Sequence, residues 1–354
     1  MITIIEDIPT LETYREKWNE LLTMAGDFTP FQTFDYVYSA WKIMPPQNGK
    51  LYILCYVRQK DNKLLAICPF YIDTKRTLRF INDIHTDFCD VIVCEDSKGD
   101  YHLWEEISNE VLSCKYIKSL CLNNVRGESL MLSSFNYFLK PSLIYSTNSY
   151  SCVHFINRND YKSVVDVLPA LRSKERARLR NIYQKIDSTS HVIYSKDNGD
   201  VFPEKHVITL ISQMLDLQLR TQTYFNNDMI ELFRKLYEDG LMQVHVTNYS
   251  NGPVAANLWL HIPERDEYID WIALYAQKGK NLDNLLQSFD HIARNGGFVN
   301  FARGTYQYKM HNFRPVVYNL YTLRWSKSIW GQVGDLFAMN LYHIKQIVKK
   351  IIRK

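Results

Sequence analysis

The sequence lacks several features that would place the protein in a particular class. It has no apolar run near the roughly 18–20 residues that a transmembrane helix needs. With only 13 glycines and 11 prolines among 354 residues, it is neither collagen-like nor a proline-rich linker. It contains no P-loop, no G-x-S-x-G motif and no dinucleotide-binding fingerprint. Kinase, hydrolase and Rossmann dehydrogenase functions therefore have no support in the sequence.

The cysteines and the N-terminal residues indicate a reducing compartment. Seven cysteines are present, an odd number without any C-x-x-C pair, and most lie within apolar stretches of the first half. The first residues show neither the basic nor the apolar region of a secretory signal peptide. We therefore expect free cysteines, no metal site and a cytoplasmic protein.

The composition is that of a globular protein with a lined cleft or interface. Hydrophobic residues make up 46% of the chain and charged residues 23%, enough for a sizeable core. The aromatic share of 14% is high. Tyrosine and tryptophan combine a large apolar body with a polar group, which suits sheets, clefts and interfaces.

Positive charge is concentrated at the C-terminal end of the chain. Residues 324–354 contain seven basic residues and one acidic residue, so the rest of the chain is nearly neutral despite the net charge of +4. A nearly neutral body argues against DNA and against a broad nucleic-acid-binding surface. Apolar residues between 328 and 354 recur at helical spacing with lysines among them. This pattern predicts a basic amphipathic helix that either lies on the inner face of an anionic membrane or docks on the protein's own body.

The two halves of the chain contain similar elements in the same order. Each shows helices, then a hairpin, then a strand, a helix and a strand. The hairpins are predicted at 51–57 with 64–72, and at 242–247 with 254–260. This parallel indicates a duplicated α+β unit of about 150 residues. The predicted domains are 1–150, 151–325 and a C-terminal helix over 326–354.

Five short motifs follow one another along the chain. They are Thr29–Phe34 with Ala40-Trp41, Leu65–Phe70, Leu171–Asn181, Val254–Ala256 and Phe301–Lys309. In this order they resemble bacterial GNAT-superfamily proteins related to FemAB and CelD, over about residues 10 to 325. The last motif is similar to the family's D-F-x-R-G-x-x-x-Y-K signature and is the most specific of the five. The family's aspartate is Asn300 here.

This resemblance implies a fold and an activity. The implied fold is α+β, with two tandem GNAT-like (acyl-CoA N-acyltransferase) units, each a mixed, mainly antiparallel sheet flanked by helices. The implied activity is N-acyl transfer from acetyl-CoA or another acyl-CoA to an amine, on an envelope or polysaccharide precursor. Two alternatives stay open: a Fem-type enzyme with aminoacyl-tRNA as donor, and a catalytically degenerate scaffold in polysaccharide assembly.

The resemblance places substrate-binding residues in the signature and on the basic helix. Arg303, Tyr308 and Lys309 would hold a phosphate or carboxylate of the acceptor, through a bidentate guanidinium and a point charge. The alternative is a loop that docks the two units. Arg176 and Arg180 share one helix face and would contact a phosphorylated substrate, although such faces are commonly only solvated.

The donor is expected at a short polar loop before a helix. Lys278, Gly279, Lys280 and Asn281 stand where the family's pyrophosphate loop lies. In such loops backbone N–H groups and the helix N-terminus hold the phosphates. The alternative is an ordinary turn in which Asn281 caps the helix.

Two residues of one predicted strand are candidates for proton transfer. Asp270 would act as the base that takes a proton from the amine, and Tyr275 as the acid for the leaving thiolate. Because they are five positions apart, a regular strand would point them to opposite faces, and only a bulge would bring them together. The alternative is that both are structural.

Overall fold

The computed structural model describes residues 1–141, 143–156, 161–186, 190–219, 222–262, 265–276 and 280–352, apart from the side chains at 147, 280, 338 and 342–352. These residues form two units. The first combines Met1–Asn148 with the residues from Asn319 onward, and the second is Ser149–Tyr318. Residues 319–325, which the sequence analysis placed with the second domain, belong to the first unit.

Groups of helices and groups of strands follow one another along the described chain. In order they are β1 (Ile2–Ile5), α1 (Ile8–Thr13), α2 (Arg15–Ala25), α3 (Phe34–Ile43), β2 (Lys50–Arg58), β3 (Lys63–Ile72), β4 (Thr77–Phe80), β5 (Ile92–Val93), α4 (Tyr101–Ser113), β6 (Ser119–Arg126), α5 (Leu130–Phe138), β7 (Leu143–Val153), α6 (Val164–Val167), α7 (Ser173–Tyr183), β8 (His191–Tyr194), α8 (Glu204–Asp216), α9 (Asn227–Glu238), β9 (Met242–Tyr249), β10 (Gly252–His261), β11 (Glu267–Tyr275), α10 (Lys280–Arg294), β12 (Phe298–Arg303), α11 (Gln307–Phe313), β13 (Val316–Ser326) and α12 (Ile329–Ile352).

The first unit is built on a mixed sheet with the strand order β1-β2-β3-β4-β6-β13. β2 and β3 form the predicted hairpin, with Leu54 opposite Cys68. β4 and β6 are parallel, and the remaining neighbours on this path are antiparallel. The strand at the end of the path, β13, comes from the C-terminal part of the chain, where Leu320 pairs with Arg126.

The second unit repeats this plan with the order β7-β12-β11-β10-β9-β8. β9 and β10 form the second predicted hairpin, and β11 and β12 are the parallel pair. The helix between these parallel strands, α10, packs on the sheet through Leu285, Leu286 and Phe289. These side chains belong to an apolar core with Trp259 and Phe301.

One predicted helix is divided in the structure. The sequence pattern predicts a helix over 164–186, whereas the structure has α6 and α7 with an interruption between them. Leu168 is extended and precedes Pro169. A residue before proline avoids helical angles because its backbone collides with the proline ring, so the first helix ends there.

Candidate active site

The parallel strands of the second unit separate partway along their length. They are paired only from Glu267 opposite Phe298 to Ile269 opposite Asn300. β11 continues to Tyr275, whereas β12 bends through Ala302, whose φ of 54° is in the left-handed region. In this part of the described chain, β11 residues beyond Ile269 have no partner on β12.

Asn300 fixes the bend of β12. Its Oδ1 accepts a hydrogen bond from the Ala302 N–H at 2.9 Å, and its Nδ2 donates to Glu267 Oε1 at 2.6 Å. A carboxylate has acceptors only, so the family's aspartate would not make the second bond. Asparagine at this position therefore links the two strands just before they separate.

Asp270 is the first residue of β11 beyond the paired segment. Its side chain is buried, with 3% of the residue exposed, and its Oδ1 accepts from Asn257 Nδ2 at 2.7 Å. Lys309 Nζ lies 4.0 Å from Oδ2. No described residue donates a hydrogen bond to Oδ2. Burial raises the pKa of Asp270 above its usual value, although the Lys309 charge and the Asn257 hydrogen bond oppose the rise.

Lys309 occupies the point where the strands begin to separate. It is 5% exposed, and its ammonium donates to the Phe301 carbonyl oxygen at 2.6 Å. The same Nζ lies 5.2 Å, 5.4 Å and 5.9 Å from the ring centroids of Phe301, Tyr306 and Tyr308. Aromatic faces attract cations within about 6 Å. In this arrangement the ammonium is held inside the unit, so direct contact with a substrate anion stays a prediction.

A bulge in β11 brings Asp270 and Tyr275 to one face of the sheet. Ile272 lies opposite Leu258, but Asp270 lies opposite the next residue, Trp259, so Trp271 is an extra residue. Tyr275 lies opposite Ala255. Since Trp259 and Ala255 are four positions apart on β10, they share a face, and their partners share it too. The bulge therefore places both side chains on one face, and their roles in proton transfer stay a prediction.

A chain of buried amide and hydroxyl groups extends from Asp270. Asn257 Oδ1 accepts from Asn284 Nδ2 at 2.6 Å, and Asn284 Nδ2 also donates to the His245 carbonyl oxygen at 3.1 Å. Thr247 Oγ1 donates to Asn284 Oδ1 at 2.8 Å. No motif in the sequence pointed to these residues. One signal was available: Asn284 belongs to a polar row at helical spacing on α10, formed by Asn281, Asn284, Ser288 and His291.

The two arginines predicted on the basic helix have different surroundings. Arg176 donates to the carbonyl oxygens of Val165, Asp166 and Leu168, so its guanidinium closes the end of α6. Arg180 is half exposed and pairs with the Asp166 carboxylate. It also lines a polar cavity of about 510 Å³ in the second unit. The other lining residues are Lys162, Ser163, Asp166, Tyr183, Gln184, Ile186 and Gln287.

The expected donor loop is only partly described. Lys278 and Gly279 lie outside the described residues, and Lys280 begins α10 with its side chain not described. Asn281 is buried, and its Oδ1 has no described hydrogen-bond partner. The absence of a metal site is expected from the sequence and stays a prediction. The described residues contain no group of His, Cys, Asp and Glu suited to an ion.

Two further signature residues lie beside the bend of β12. Arg303 is half-buried and lies opposite Tyr150 of β7. The Tyr308 ring is half-buried and stacks on Tyr306 with a centroid distance of 6.3 Å. The fold thus brings Arg303, Tyr308 and Lys309 to one end of β12.

Comparison with known proteins identifies the fold. No family model matches the sequence, and no curated protein is significantly similar to it. Among solved structures, FemX gives a TM-score of 0.58 at 8% identity, covering 87% of this chain and 95% of that chain. L-PGS from Bacillus licheniformis gives 0.56 at 13% identity, covering 88% and 92%. A tandem GNAT protein from the clavulanic acid biosynthesis pathway gives 0.53 at 9% identity, covering 93% and 99%.

These likenesses are structural, since the identities are low. They show that this chain has the tandem GNAT-like fold, and they confirm the fold class expected from the sequence motifs. They show no particular FemAB or CelD type.

Proposed function

We propose that this protein, with its tandem GNAT-like fold, is an N-acyltransferase that moves an acyl group from acyl-CoA to an amine. The observation that carries the proposal is the separation of β11 from β12 directly before the buried carboxyl of Asp270. Beyond Ile269, β11 stays paired with β10, but its other edge has no described partner on β12. Backbone N–H groups on such an edge suit the polarisation of an acyl carbonyl.

The proposed reaction uses the two candidates on the shared face of β11. The amine nitrogen attacks the thioester carbonyl carbon, and the carbon–sulfur bond breaks. Asp270 takes the proton that the amine loses, and Tyr275 gives a proton to the leaving thiolate. Positioned proton transfer of this kind typically contributes about 10²–10⁴-fold in rate. Asp270→Asn is therefore expected to lower kcat by about that factor while leaving donor binding intact.

Binding of the two substrates is assigned to separate parts of the unit. Lys278, Gly279, Lys280 and Asn281 are proposed to hold the donor's pyrophosphate. Arg303, Tyr308 and Lys309, with the basic helix, are proposed on the acceptor side. On that helix Arg180 is better supported than Arg176, because Arg180 lines a cavity while Arg176 is engaged with backbone carbonyls.

The acceptor is proposed to be an envelope or polysaccharide precursor reached at the inner face of the membrane. The described part of α12 exposes a row of large apolar side chains, with Trp330 at 83% exposure. They are Ile329, Trp330, Val333, Leu336, Phe337 and Leu341. The acidic residue of this helix, Asp335, is paired with Arg324 at 3.0 Å, so its negative charge is compensated within the protein. None of the described helices is long and apolar enough to cross a membrane.

Vesicle sedimentation tests the membrane contact. The protein is expected to sediment with vesicles that contain anionic phosphatidylglycerol, and less with phosphatidylcholine alone or at high salt. Trp330→Ser with Phe337→Ser should weaken this binding, whereas Tyr116→Ser, an exposed control in the first unit, should not. Equal sedimentation of all variants would contradict the proposal.

Thermal stability with a panel of CoA compounds tests the donor. Acetyl-CoA, longer acyl-CoAs and free CoA are each added to the intact protein. A ligand present at about 100 times its dissociation constant adds about 2.7 kcal/mol to the free energy of unfolding. We expect a clear stabilisation with one thioester. No stabilisation at millimolar concentration would rule out the CoA-dependent enzyme.

A second candidate function is supported by Lys309. Its side chain fills the beginning of the strand separation, as a degenerate GNAT scaffold would allow. A scaffold should bind neither CoA thioesters nor aminoacyl-tRNA. A Fem-type enzyme should instead bind aminoacyl-tRNA with an affinity that falls steeply with salt.

A further inference from the structure

The buried chain of polar side chains next to Asp270 has a single direction. Asn257, Asn284 and Thr247 are each fully buried. Groups at such depth are normally hydrogen-bonded, because an unpaired buried amide loses its hydration without compensation. The direction of these hydrogen bonds therefore decides which oxygen of Asp270 is left without a hydrogen bond.

A backbone carbonyl sets the direction. Asn284 lies 3.1 Å from the His245 carbonyl oxygen, which only accepts, so the atom facing it is Asn284 Nδ2. The same Nδ2 faces Asn257 at 2.6 Å, so the atom of Asn257 at that contact is Oδ1. Turning either amide over would bring two donors or two acceptors together.

The remaining bonds follow from this orientation. Asn257 presents Nδ2 to Asp270 Oδ1 at 2.7 Å. At the other end, Thr247 Oγ1 donates to Asn284 Oδ1 at 2.8 Å. The three bonds that link Thr247, Asn284, Asn257 and Asp270 thus all donate in the direction of the Asp270 carboxyl group, and Asn284 makes one further bond to the His245 carbonyl oxygen. Hydrogen bonds in such a series polarise one another, and a bond donated to an anion is stronger than one donated to a neutral group.

We propose that Thr247, Asn284 and Asn257 are positioning residues that favour the carboxylate form of Asp270 and direct Oδ2 as the atom that takes the amine proton. Oδ1 is committed to Asn257, whereas Oδ2 accepts no hydrogen bond from any described residue. The assignment deepens the proposed acyltransferase function and rests on it for the identity of the proton donor.

The titratable groups near this hydrogen-bond chain are one cation and three histidines. Lys309 of α11 is the cation, with Nζ 4.0 Å from Oδ2. His245 of β9, His191 of β8 and His291 of α10 lie on the side of Thr247, and burial lowers the pKa of each. They are therefore neutral near pH 7, and the balance at Asp270 depends on Lys309 and the hydrogen-bond chain.

Carboxyl NMR on the intact protein tests the proposal without any substrate. The protein is labelled with ¹³C at the aspartate carboxyl groups, and the Asp270 signal is identified by its loss in Asp270→Asn. In Asn257→Leu, which removes the donor but keeps the volume, the titration midpoint of Asp270 should rise by about one pH unit or more, a tenfold change in proton affinity. Thr247→Val should raise the midpoint by less.

Ser288→Ala is the matched control. Ser288 is also fully buried on α10, but its hydroxyl has no described hydrogen-bond partner, so the midpoint should stay unchanged. An unchanged midpoint in folded Asn257→Leu, or an equal rise in Ser288→Ala, overturns the proposal. If Asn257→Leu does not fold, Thr247→Val decides, since it removes one hydroxyl and adds no volume.

The two proposals fail in different ways. If the titration midpoint shifts but CoA thioesters do not affect stability, the result supports the role of the hydrogen-bond chain at Asp270. It rejects acyl-CoA as the donor. Where transfer is measured, the acidic limb of the pH profile of kcat/KM should move upward in Asn257→Leu and Thr247→Val by the same amount as the NMR midpoint. A limb that stays in place rejects the catalytic part of the assignment.

Discussion

The Lys309 ammonium is held by groups that come from different parts of the sequence. They are a backbone carbonyl at Phe301, the Asp270 carboxylate and three aromatic rings. The sequence predicted Lys309 and Asp270 separately, one for substrate and one for proton transfer. Their proximity indicates that the lysine also compensates a buried negative charge.

Lys309→Met tests this compensation. Removing one partner of a buried ion pair leaves the other uncompensated, so we expect a loss of about 3 kcal/mol in the free energy of unfolding at pH 7.5. The loss should shrink toward pH 5. Without the cation the pKa of Asp270 in the folded state rises further above its unfolded value. The folded state then binds more protons at Asp270, so this contribution to stability grows as the pH falls and offsets part of the loss.

Urea unfolding measures the effect, with Lys235→Met as the control. Lys235 pairs with Asp239 in the same unit, but its side chain is 41% exposed, and ion pairs open to solvent contribute less, about 0–1 kcal/mol. A cost for Lys309→Met no larger than that of the control would contradict the compensating role.

Three histidines of the second unit predict a loss of stability in acid. Burial lowers the pKa of His191 to about 4, and it lowers the values of His245 and His291 as well. Below pH 6.5 these histidines bind protons in the unfolded chain but not in the folded unit, so their contribution to stability falls as the pH falls. For His191 alone the loss is about 1.5 kcal/mol between pH 6.5 and pH 5.

Urea unfolding at several pH values measures this dependence. His191→Gln should flatten it, while His102→Gln, at an exposed position on α4, should leave it as in the wild type. A wild-type stability that is constant from pH 7.5 to pH 5 would show that the buried histidines are protonated in the folded state.

At the scale of elements, the bulge in β11 and the bend in β12 shape the site. The bulge at Trp271 changes which residues share a face, and the bend at Ala302 turns β12 away from β11. Each feature occupies a single residue. Alternation patterns in sequence do not show a one-residue shift in register, which is why these features emerged only from the pairing of the strands.

Ala302→Gly tests the bend. A left-handed conformation costs a non-glycine residue about 1–2 kcal/mol, and glycine avoids that cost. Against this, loss of the buried methyl group and the greater freedom of glycine in the unfolded chain together cost about 1–2 kcal/mol. We therefore expect Ala302→Gly to be close to neutral in chemical denaturation.

Ala256→Gly provides the comparison within the same sheet. Ala256 is buried in the middle of β10. There glycine brings only the loss of the methyl group and the greater freedom of the unfolded chain, a cost of about 1–2 kcal/mol. Equal effects of the two substitutions would show that the bend is not strained.

At the scale of the whole molecule, the last strand of the sheet in the first unit is supplied by the C-terminal part of the chain. β13 pairs along β6, and its residues Leu320 and Leu323 are fully buried. A fragment of residues 1–148 lacks this strand and leaves a hydrophobic edge uncovered. We expect it not to unfold cooperatively.

Joining residues 319–328 to this fragment through a short Gly-Ser linker should restore a cooperative thermal transition, followed by circular dichroism. The same fusion with Leu323→Asp is the control and should not restore it, because an unpaired charge would be buried. Cooperative unfolding of residues 1–148 alone would contradict the prediction.

Local sequence patterns predicted the elements whose signals are local. Both hairpins were predicted correctly, because short apolar runs flank a polar turn in each. β13 was not predicted, since its first residues are exposed and its apolar residues do not alternate simply. The seven-residue helix α11 is too short to show helical periodicity.

The sequence by itself determined the tandem GNAT-like fold, through motifs in a fixed order, and it drew attention to Asp270, Tyr275 and Lys309. Only the tertiary structure decided that Asp270 lies next to Lys309 and that a bulge turns Tyr275 to the same face as Asp270. It also decided that Asn257 and Asn284 form a hydrogen-bond chain to Asp270. The physical reason is that hydrogen bonds and ion pairs depend on distances of a few ångströms. Residues far apart in the chain acquire such distances only when strands pair in register and α10 packs on the sheet.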